Sequence, residues 1–137
     1  MKIFSEKINY GLLALFELAK TSYKEHVTIN SIATAHNLKK TYLEKVLLQL
    51  KRANLVESIR GAQGGYKLKK LSSKIKVIDI IKALEGPISI IDYKKNSEIL
   101  RIYWMKIEEK FNTLFNTTLE DLINQEQILH GKLSFQI

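Results

Sequence analysis

Residues 55–69 form the segment that most restricts the fold of this chain. Two short runs, residues 55–59 and 66–69, show the alternation of side chains typical of β-strands. The loop between them, residues 60–65, holds three of the chain's six glycines. Glycine adopts the positive φ angles that tight turns require. We therefore expect a β-hairpin at this point of the chain.

Three segments with helical periodicity precede the hairpin. Residues 7–19 repeat apolar side chains at steps of three and four, as in a helix with one buried stripe. A short second helix is expected to end near Asn37, because asparagine tolerates the left-handed conformation that closes helices. Residues 40–53 form a third helix with one basic face. This order of elements is that of a winged helix-turn-helix, whose second motif helix enters the DNA major groove.

The distribution of charge agrees with a DNA partner. Residues 1–76 contain 15 Lys and Arg against 5 Asp and Glu, whereas residues 77–137 contain 7 against 9. A positive surplus on the part that holds the basic helix and the hairpin favours a polyanion. The stretch of apolar residues near the start is too short for a membrane span or a signal peptide. We expect a cytoplasmic protein with no membrane partner.

The candidate DNA-binding residues lie at the start of the basic helix and at the hairpin tip. Lysine and threonine suit phosphate contacts, and Glu44 can accept a hydrogen bond from a cytosine amino group. Arg60 is long enough to enter a narrow minor groove, and the glycines beside it let the backbone approach a DNA strand. The alternative is a surface whose charges are only solvated. The candidates are Lys39, Lys40, Thr41, Tyr42, Glu44, Lys45, Arg60, Gly61, Gly64 and Gly65.

After a DNA-binding domain of residues 1–87, we expect residues 88–137 to form a linker, a dimerisation helix and a tail. The short apolar run of residues 88–91 fits a strand. Residues 98–115 carry an apolar and aromatic stripe, which either lines a ligand pocket or packs against the same helix of a second chain. We expect the second arrangement, a homodimer. The stripe consists of Leu100, Tyr103, Trp104, Ile107, Phe111, Leu114 and Phe115.

A last helix is predicted by Thr117 and Glu120, which have the spacing of a capping box. We expect this helix to be short and to end near residue 124. Residues 133–137 follow Gly131 and are predicted to be a mobile tail.

Several kinds of chemistry are excluded or disfavoured by the sequence. The absence of cysteine excludes disulfides, a thiol nucleophile and cysteine-ligated zinc or iron–sulfur clusters. The glycine loop lacks the Gly-Lys-Ser/Thr sequence that ends a nucleotide-binding P-loop, and no hydrolase motif is present. His26, His36 and His130 are far apart, which favours surface histidines over a metal site. We expect no catalytic residues, no cofactor and no metal; the alternative is a small-molecule or metal sensor with its ligand under the long helix.

In order and spacing, these motifs resemble the Rrf2 family of bacterial transcription regulators over nearly the whole chain. The resemblance implies a recognition helix around Tyr42 and Glu44, a DNA-touching wing at Arg60, and a dimer interface on the helix of residues 100–115. It also implies a homodimeric repressor on a palindromic operator. The matching motifs are Tyr10-Gly11-Leu12, Ile32-Ala33, Tyr42-Leu43-Glu44, Leu55-Val56-x-Ser58-x-Arg60-Gly61, Gly64-Gly65-Tyr66, Ala83-Leu84-Glu85-Gly86-Pro87 and Thr117-Thr118-Leu119-Glu120-Asp121-Leu122.

One departure from the family pattern indicates which branch of the family the chain resembles. Cluster-binding members carry three cysteines between the Gly-Pro element and the long helix, and this chain has none. The chain therefore looks most like the cysteine-free, CymR-like branch, whose members repress sulfur and cysteine metabolism genes and respond through cysteine synthase. Partners of that enzyme resemble this chain in ending with isoleucine. The resemblance implies that Ile137 docks in the enzyme's active site; the alternative is a tail that packs or frays.

Overall fold

The computed structural model describes residues 1–21, 25–61 and 64–135, with side chains as far as Gly131. Its architecture is mainly helical with a two-stranded antiparallel hairpin, which confirms the winged helix-turn-helix prediction. In the hairpin, Val56 lies opposite Leu68 and Ile59 lies opposite Gly65. In chain order the elements are α1 (Lys7–Lys20), α2 (Ile29–His36), α3 (Lys40–Arg52), β1 (Val56–Ile59), β2 (Gly65–Leu68), a 3₁₀ turn (Ser72–Lys74), α4 (Val77–Glu85), α5 (Glu98–Thr113) and α6 (Leu119–Phe135).

One apolar core joins α1, α3 and α4. Leu15, Leu47 and Ile80 are completely buried in it, and each such side chain contributes about 1.5–3 kcal/mol through the hydrophobic effect. Gly11 lies where α1 meets α4, and a Cβ atom at this position would be 2.8 Å from Leu84 Cδ1. The glycine therefore permits the two helices to pack closely.

The helix-turn-helix is held by local caps and by α1. The hydroxyl of Thr28 accepts a hydrogen bond from the Ser31 N–H at 3.1 Å and caps α2. Asn37 closes α2 with a φ of 52°, as predicted. The N-cap of α3, Lys39, makes no side-chain cap hydrogen bond. Instead, its N–H donates to the Tyr10 hydroxyl at 3.1 Å, so α1 fixes the start of α3.

After α5 the chain returns to this core. Leu119 is completely buried, and its N–H donates to the Ile75 carbonyl at 2.8 Å. The predicted capping box was wrong by one residue, because the Thr117 carbonyl is paired with the Val77 N–H. Thr118 and Asp121 form the box, each donating a backbone N–H to the other's side chain at 3.0 Å. Hydrogen bonding by the backbone N–H and the side chain of Thr118 lowers the pKa of the Asp121 carboxyl.

The C-terminal part differs from the prediction in two further respects. α6 continues to Phe135, so the expected end near residue 124 was wrong, as was the separate tail for residues 133–135. The core position of Leu119 and an ion pair between Lys20 and Glu126 at 3.2 Å hold α6 against α1. Residues 88–91 form no strand. Ile137 lies outside the described residues.

In the described part of the chain, no helix combines the length and apolar character that a bilayer span needs.

Candidate nucleic-acid interface

An open cleft of about 510 Å³ lies between α3 and the hairpin. α3 contributes Lys40 and Glu44, the hairpin contributes Arg60, and the start of α2 contributes Thr28 and Asn30. The lining of the cleft thus has two cationic side chains, one anionic side chain and the start of a helix. Its lining also includes Ile29, Ser58, Ile59, Gly61, Gly64, Gly65 and Tyr66.

Tyr66 and Glu44 are coupled within this cleft. Burial raises the pKa of the Tyr66 hydroxyl, and the negative charge of Glu44 raises it further. Tyr66 therefore stays a neutral hydroxyl near pH 7, able to donate and accept hydrogen bonds. Glu44 itself is exposed and can only accept hydrogen bonds when ionised. The cleft therefore offers one hydroxyl that both donates and accepts hydrogen bonds and one carboxylate that only accepts them.

Pairing with the segment before α2 sets the position of the hairpin. The N–H groups of Val27 and Tyr66 each donate to the other's carbonyl at 2.8 Å. This approach requires glycine at residue 65, because a Cβ atom there would lie 2.4 Å from the Val27 carbonyl oxygen. At Gly64 the corresponding clash, at 2.3 Å, is with the Ile59 carbonyl oxygen. The sequence predicted that these glycines let the backbone approach DNA. In the structure, both glycines allow a close approach to other backbone segments of the same chain.

The remaining glycine of the hairpin lies at its tip, and one ion pair joins its two strands near their base. Gly61 adopts a φ of 121°, which is strained for other residue types. Across the strands, the Lys67 ammonium and the Glu57 carboxylate lie 3.1 Å apart. Arg60 stands beside Gly61 and is exposed. Arg60 is therefore an exposed cation at the start of the hairpin loop.

Four of the predicted DNA-binding residues lie outside the cleft. Lys39 and Tyr42 line a separate cavity with Tyr10. The Tyr42 ring is half-buried and packs edge-on against the Tyr10 ring, with centroids 4.7 Å apart. Thr41 and Lys45 are exposed on α3 and line neither cavity. The structure thus brings together Lys40, Glu44, Arg60, Gly61, Gly64 and Gly65.

Sequence reasoning missed the contribution of α2 to the cleft. Thr28 and Asn30 reach it because Val27 pairs with Tyr66, a contact between residues distant in sequence. The only local signal was the Thr28-x-x-Ser31 spacing, which indicates a helix start and gives no information about a neighbour. Tyr66 was missed as a lining residue for the same reason.

The apolar stripe predicted on α5 divides into two parts. Phe111 and Phe115 are half-buried, and their rings lie 6.4 and 5.6 Å from the Phe4 ring. Leu100 and Tyr103 are exposed, as is Leu114 beyond the end of α5. Trp104 and Ile107 are half-buried. The aromatic end therefore packs on its own chain, and the first half of α5 remains open.

Further apolar residues extend this open part. Ile99, Ile102 and Met105 expose 71%, 41% and 44% of their surfaces, and they were absent from the predicted stripe. They were missed because only one face of the helix was considered, although the run is apolar on most sides. No residue of α5 is fully buried. A helix so rich in exposed apolar side chains is typical of an interface.

Comparison with known proteins relates this geometry to a family. The Rrf2 family, described as iron-dependent transcriptional regulators, matches residues 4–125. The chain belongs to the Rrf2 family. The regulator CymR of Bacillus subtilis is 44% identical over 124 residues, which are 89% of each chain. As an Rrf2 protein, the chain is a helix-turn-helix transcriptional regulator, and regulators of this family bind DNA and act as dimers.

Solved structures of other Rrf2 regulators have the same fold. The structure of CymR, the global cysteine regulator of B. subtilis, matches with a TM-score of 0.79 and 40% identity, covering 91% of this chain and 98% of that one. The structure of IscR from T. potens matches with a TM-score of 0.74 and 35% identity, covering 92% and 88%. The shared fold includes the helix-turn-helix and its wing.

The residues of this chain do not fit the iron centre that the family description implies. The chain has no cysteine, and among the residues that the structure describes no three His, Asp or Glu side chains converge as metal ligands. Iron centres in proteins are held by thiolates, imidazoles or carboxylates in such groups. We therefore derive no role for iron in DNA binding by this chain.

Proposed function

We propose that the chain is a homodimeric repressor that binds a palindromic operator in the cytoplasm and controls sulfur and cysteine metabolism genes. The observation that supports a DNA-binding surface is the cleft that Lys40, Glu44 and Arg60 line together. The metabolic role is supported by similarity to CymR of B. subtilis, a global cysteine regulator. Without a cysteine, the chain carries no cysteine-ligated cluster.

In this proposal α3 enters the major groove with its first turns. Lys40 contacts phosphate, and Glu44 accepts a hydrogen bond from a cytosine amino group. Arg60 reaches the adjacent minor groove from the hairpin tip. Lys39, Thr41, Tyr42 and Lys45 add contacts from the same helix. In a symmetric dimer two copies of α3 would meet half-sites spaced by one helical turn, about 34–36 Å.

The exposed half of α5 is the dimer interface in this proposal. Leu100, Tyr103, Trp104 and Ile107 of the predicted stripe are joined there by the exposed Ile99, Ile102 and Met105. Phe111, Leu114 and Phe115 continue the stripe toward the Phe4 contact.

Genome-wide mapping of bound DNA, followed by gel shifts on the enriched sites, tests the proposal. We expect sites near sulfur metabolism genes and an affinity that falls steeply with salt, because phosphate contacts release counterions. A scrambled duplex of equal length is the control for specificity. Equal affinity for the scrambled duplex would contradict sequence-specific repression.

We propose also that residue Ile137 docks in the active site of cysteine synthase and so connects the repressor to sulfur supply. An apolar side chain such as that of isoleucine can be held in a small pocket while its backbone pairs with nearby donors. Calorimetry with the host enzyme should detect binding by the whole chain and none after deletion of Ile137, with operator affinity unchanged. No binding by the whole chain would remove the enzyme from the proposal.

A further inference from the structure

The start of α3 lacks the local side-chain cap that helix starts commonly have. Its N-cap residue, Lys39, makes no side-chain cap hydrogen bond, because an ammonium group is a donor and cannot accept an N–H from the helix. In a capping box, the third residue of the helix accepts a hydrogen bond from the N-cap N–H. That position holds Tyr42, whose ring packs against the Tyr10 ring instead. The Lys39 N–H therefore has no acceptor within α3.

Tyr10 of α1 supplies the acceptor. Its hydroxyl accepts a hydrogen bond from the Lys39 N–H at 3.1 Å, across 29 residues of sequence. The rings of Tyr10 and Tyr42 meet edge-on, with centroids 4.7 Å apart, an arrangement that aromatic pairs favour. Both side chains are half-buried. A directional hydrogen bond and ring packing thus attach the first turn of α3 to α1.

This attachment lies next to the DNA cleft without being part of it. Lys40 follows Lys39 as the first residue of α3 and lines the cleft, whereas Tyr10 does not line it. The hairpin on the other side of the cleft is placed by a different contact, the pairing of Val27 with Tyr66. The two sides of the cleft therefore depend on separate contacts with the rest of the fold.

We propose that Tyr10 is a positioning residue for operator recognition. Its hydroxyl fixes the first turn of α3, so that Lys40 meets a DNA phosphate without prior rearrangement. Tyr10 acts through α3 and does not touch the DNA. A binding surface that is already ordered before association loses less conformational freedom on binding, which strengthens affinity. The proposal rests on the proposed function, in which α3 enters the major groove.

The operator affinity of Tyr10→Phe tests the role of the hydroxyl, because this change keeps the ring and removes only the oxygen. We expect binding about two- to tenfold weaker, the range that one hydrogen bond supplies, at a temperature where thermal melts show the variant to be folded. The matched control is Tyr93→Phe, in the segment between α4 and α5 and outside the cleft. It should bind like the unmodified protein. Unchanged affinity of folded Tyr10→Phe would overturn the proposal.

A double-mutant cycle shows whether Tyr10 acts through α3. Lys40→Met removes the ammonium group that the hydroxyl positions, so Tyr10→Phe should weaken binding less in that background than in the unmodified protein. Combined with Arg60→Ala, on the separately placed hairpin, the two fold-losses should multiply. An equal loss from Tyr10→Phe with and without Lys40→Met would mean that Tyr10 acts at another place, which contradicts the proposal.

Two further measurements keep the outcomes distinct. Lys40→Met alone tests the proposed function: if it binds the operator as tightly as the unmodified protein, the α3 surface fails, and the role of Tyr10 fails with it. If Lys40→Met binds more weakly, only the Tyr10 variants decide the proposal. Hydrogen exchange of the unmodified protein needs no substitution, so it applies even if Tyr10→Phe does not fold. The Lys39 amide should exchange more slowly than in an unstructured peptide; an equal rate would overturn the proposal.

Discussion

At Gly65 the absence of a side chain lets the hairpin lie against the segment before α2. We expect Gly65→Ala to break the pairing between Val27 and Tyr66, because the new Cβ atom would lie 2.4 Å from the Val27 carbonyl oxygen. Overpacking of this kind costs about 1–3 kcal/mol. Chemical denaturation and gel shifts should both report the loss.

The matched control is Gly131→Ala in α6, where a Cβ atom would meet nothing within 4 Å. Alanine is favoured over glycine within helices, so this control should be neutral or slightly stabilising. If the Gly65 variant behaves like the Gly131 variant, the hairpin does not depend on the close approach.

Arg60 provides a test of DNA binding that is separate from folding. The side chain is exposed beside Gly61, so Arg60→Ala should leave the melting temperature unchanged. Loss of its groove contact should weaken operator binding by about 1–3 kcal/mol. Lys82→Ala, at an exposed position of α4 outside the cleft, is the control. Unchanged operator affinity of the Arg60 variant would remove this residue from the interface.

At the scale of elements, Glu85 at the end of α4 holds the segment before α1. The N–H of Ser5 donates to the Glu85 carboxylate at 2.8 Å, and the Ser5 hydroxyl donates to the same oxygen. These hydrogen bonds lower the pKa of the Glu85 carboxyl below its ordinary value of 4.5. The unfolded chain therefore binds a proton more readily than the folded one, so this contribution to stability is present above pH 4.5.

The contribution should be lost as the pH falls through the lower, folded-state pKa of Glu85. We expect the melting temperature of Glu85→Gln to depend less on acid pH than that of the unmodified protein. The measurement is a series of thermal melts from neutral to acid pH. Identical pH profiles for the two proteins would show that the Ser5 contact does not stabilise the fold.

The first half of α5 is exposed and apolar, which allows a dimer variant that spares the fold. Ile102 exposes 41% of its surface, so Ile102→Glu places the charge in water within one chain. In a dimer the same charge would be buried without a partner, which costs several kcal/mol. Analytical ultracentrifugation should therefore show monomers.

The control for this variant is Ile128→Glu, at a position of α6 that exposes 60% of its surface. It should remain dimeric if the interface is confined to α5. Monomers from the Ile128 variant and dimers from the Ile102 variant would place the interface on α6 instead.

At the scale of the whole molecule, the chain beyond α5 contributes to the apolar core of the expected DNA-binding domain, residues 1–87. Leu119 is completely buried there, and Leu119→Ala should lower the free energy of unfolding by about 2–5 kcal/mol. A fragment of residues 1–87 lacks this side chain, so we expect it to be less stable than the whole chain. Denaturant titrations of both proteins compare their free energies of unfolding. A fragment as stable as the whole chain would show that residues 1–87 fold independently.

Much of the fold was predictable from local patterns. The periodicity of α1 and α3 and the glycines of the hairpin are properties of neighbouring residues, and these elements lie where the sequence indicated. The position of α6 was less predictable. Its capping box and its length depend on the pairing of Thr117 with Val77 and on the burial of Leu119, contacts that no short window of sequence contains.

The sequence by itself determined the basic first half, the absence of thiol chemistry and the residues of the helix start and hairpin tip. Only the tertiary structure decided which of them share a cleft. Lys40, Glu44 and Arg60 meet there because the backbone of Val27 pairs with Tyr66. Charge and periodicity are properties of the chain, whereas burial and adjacency depend on which segments fold against each other.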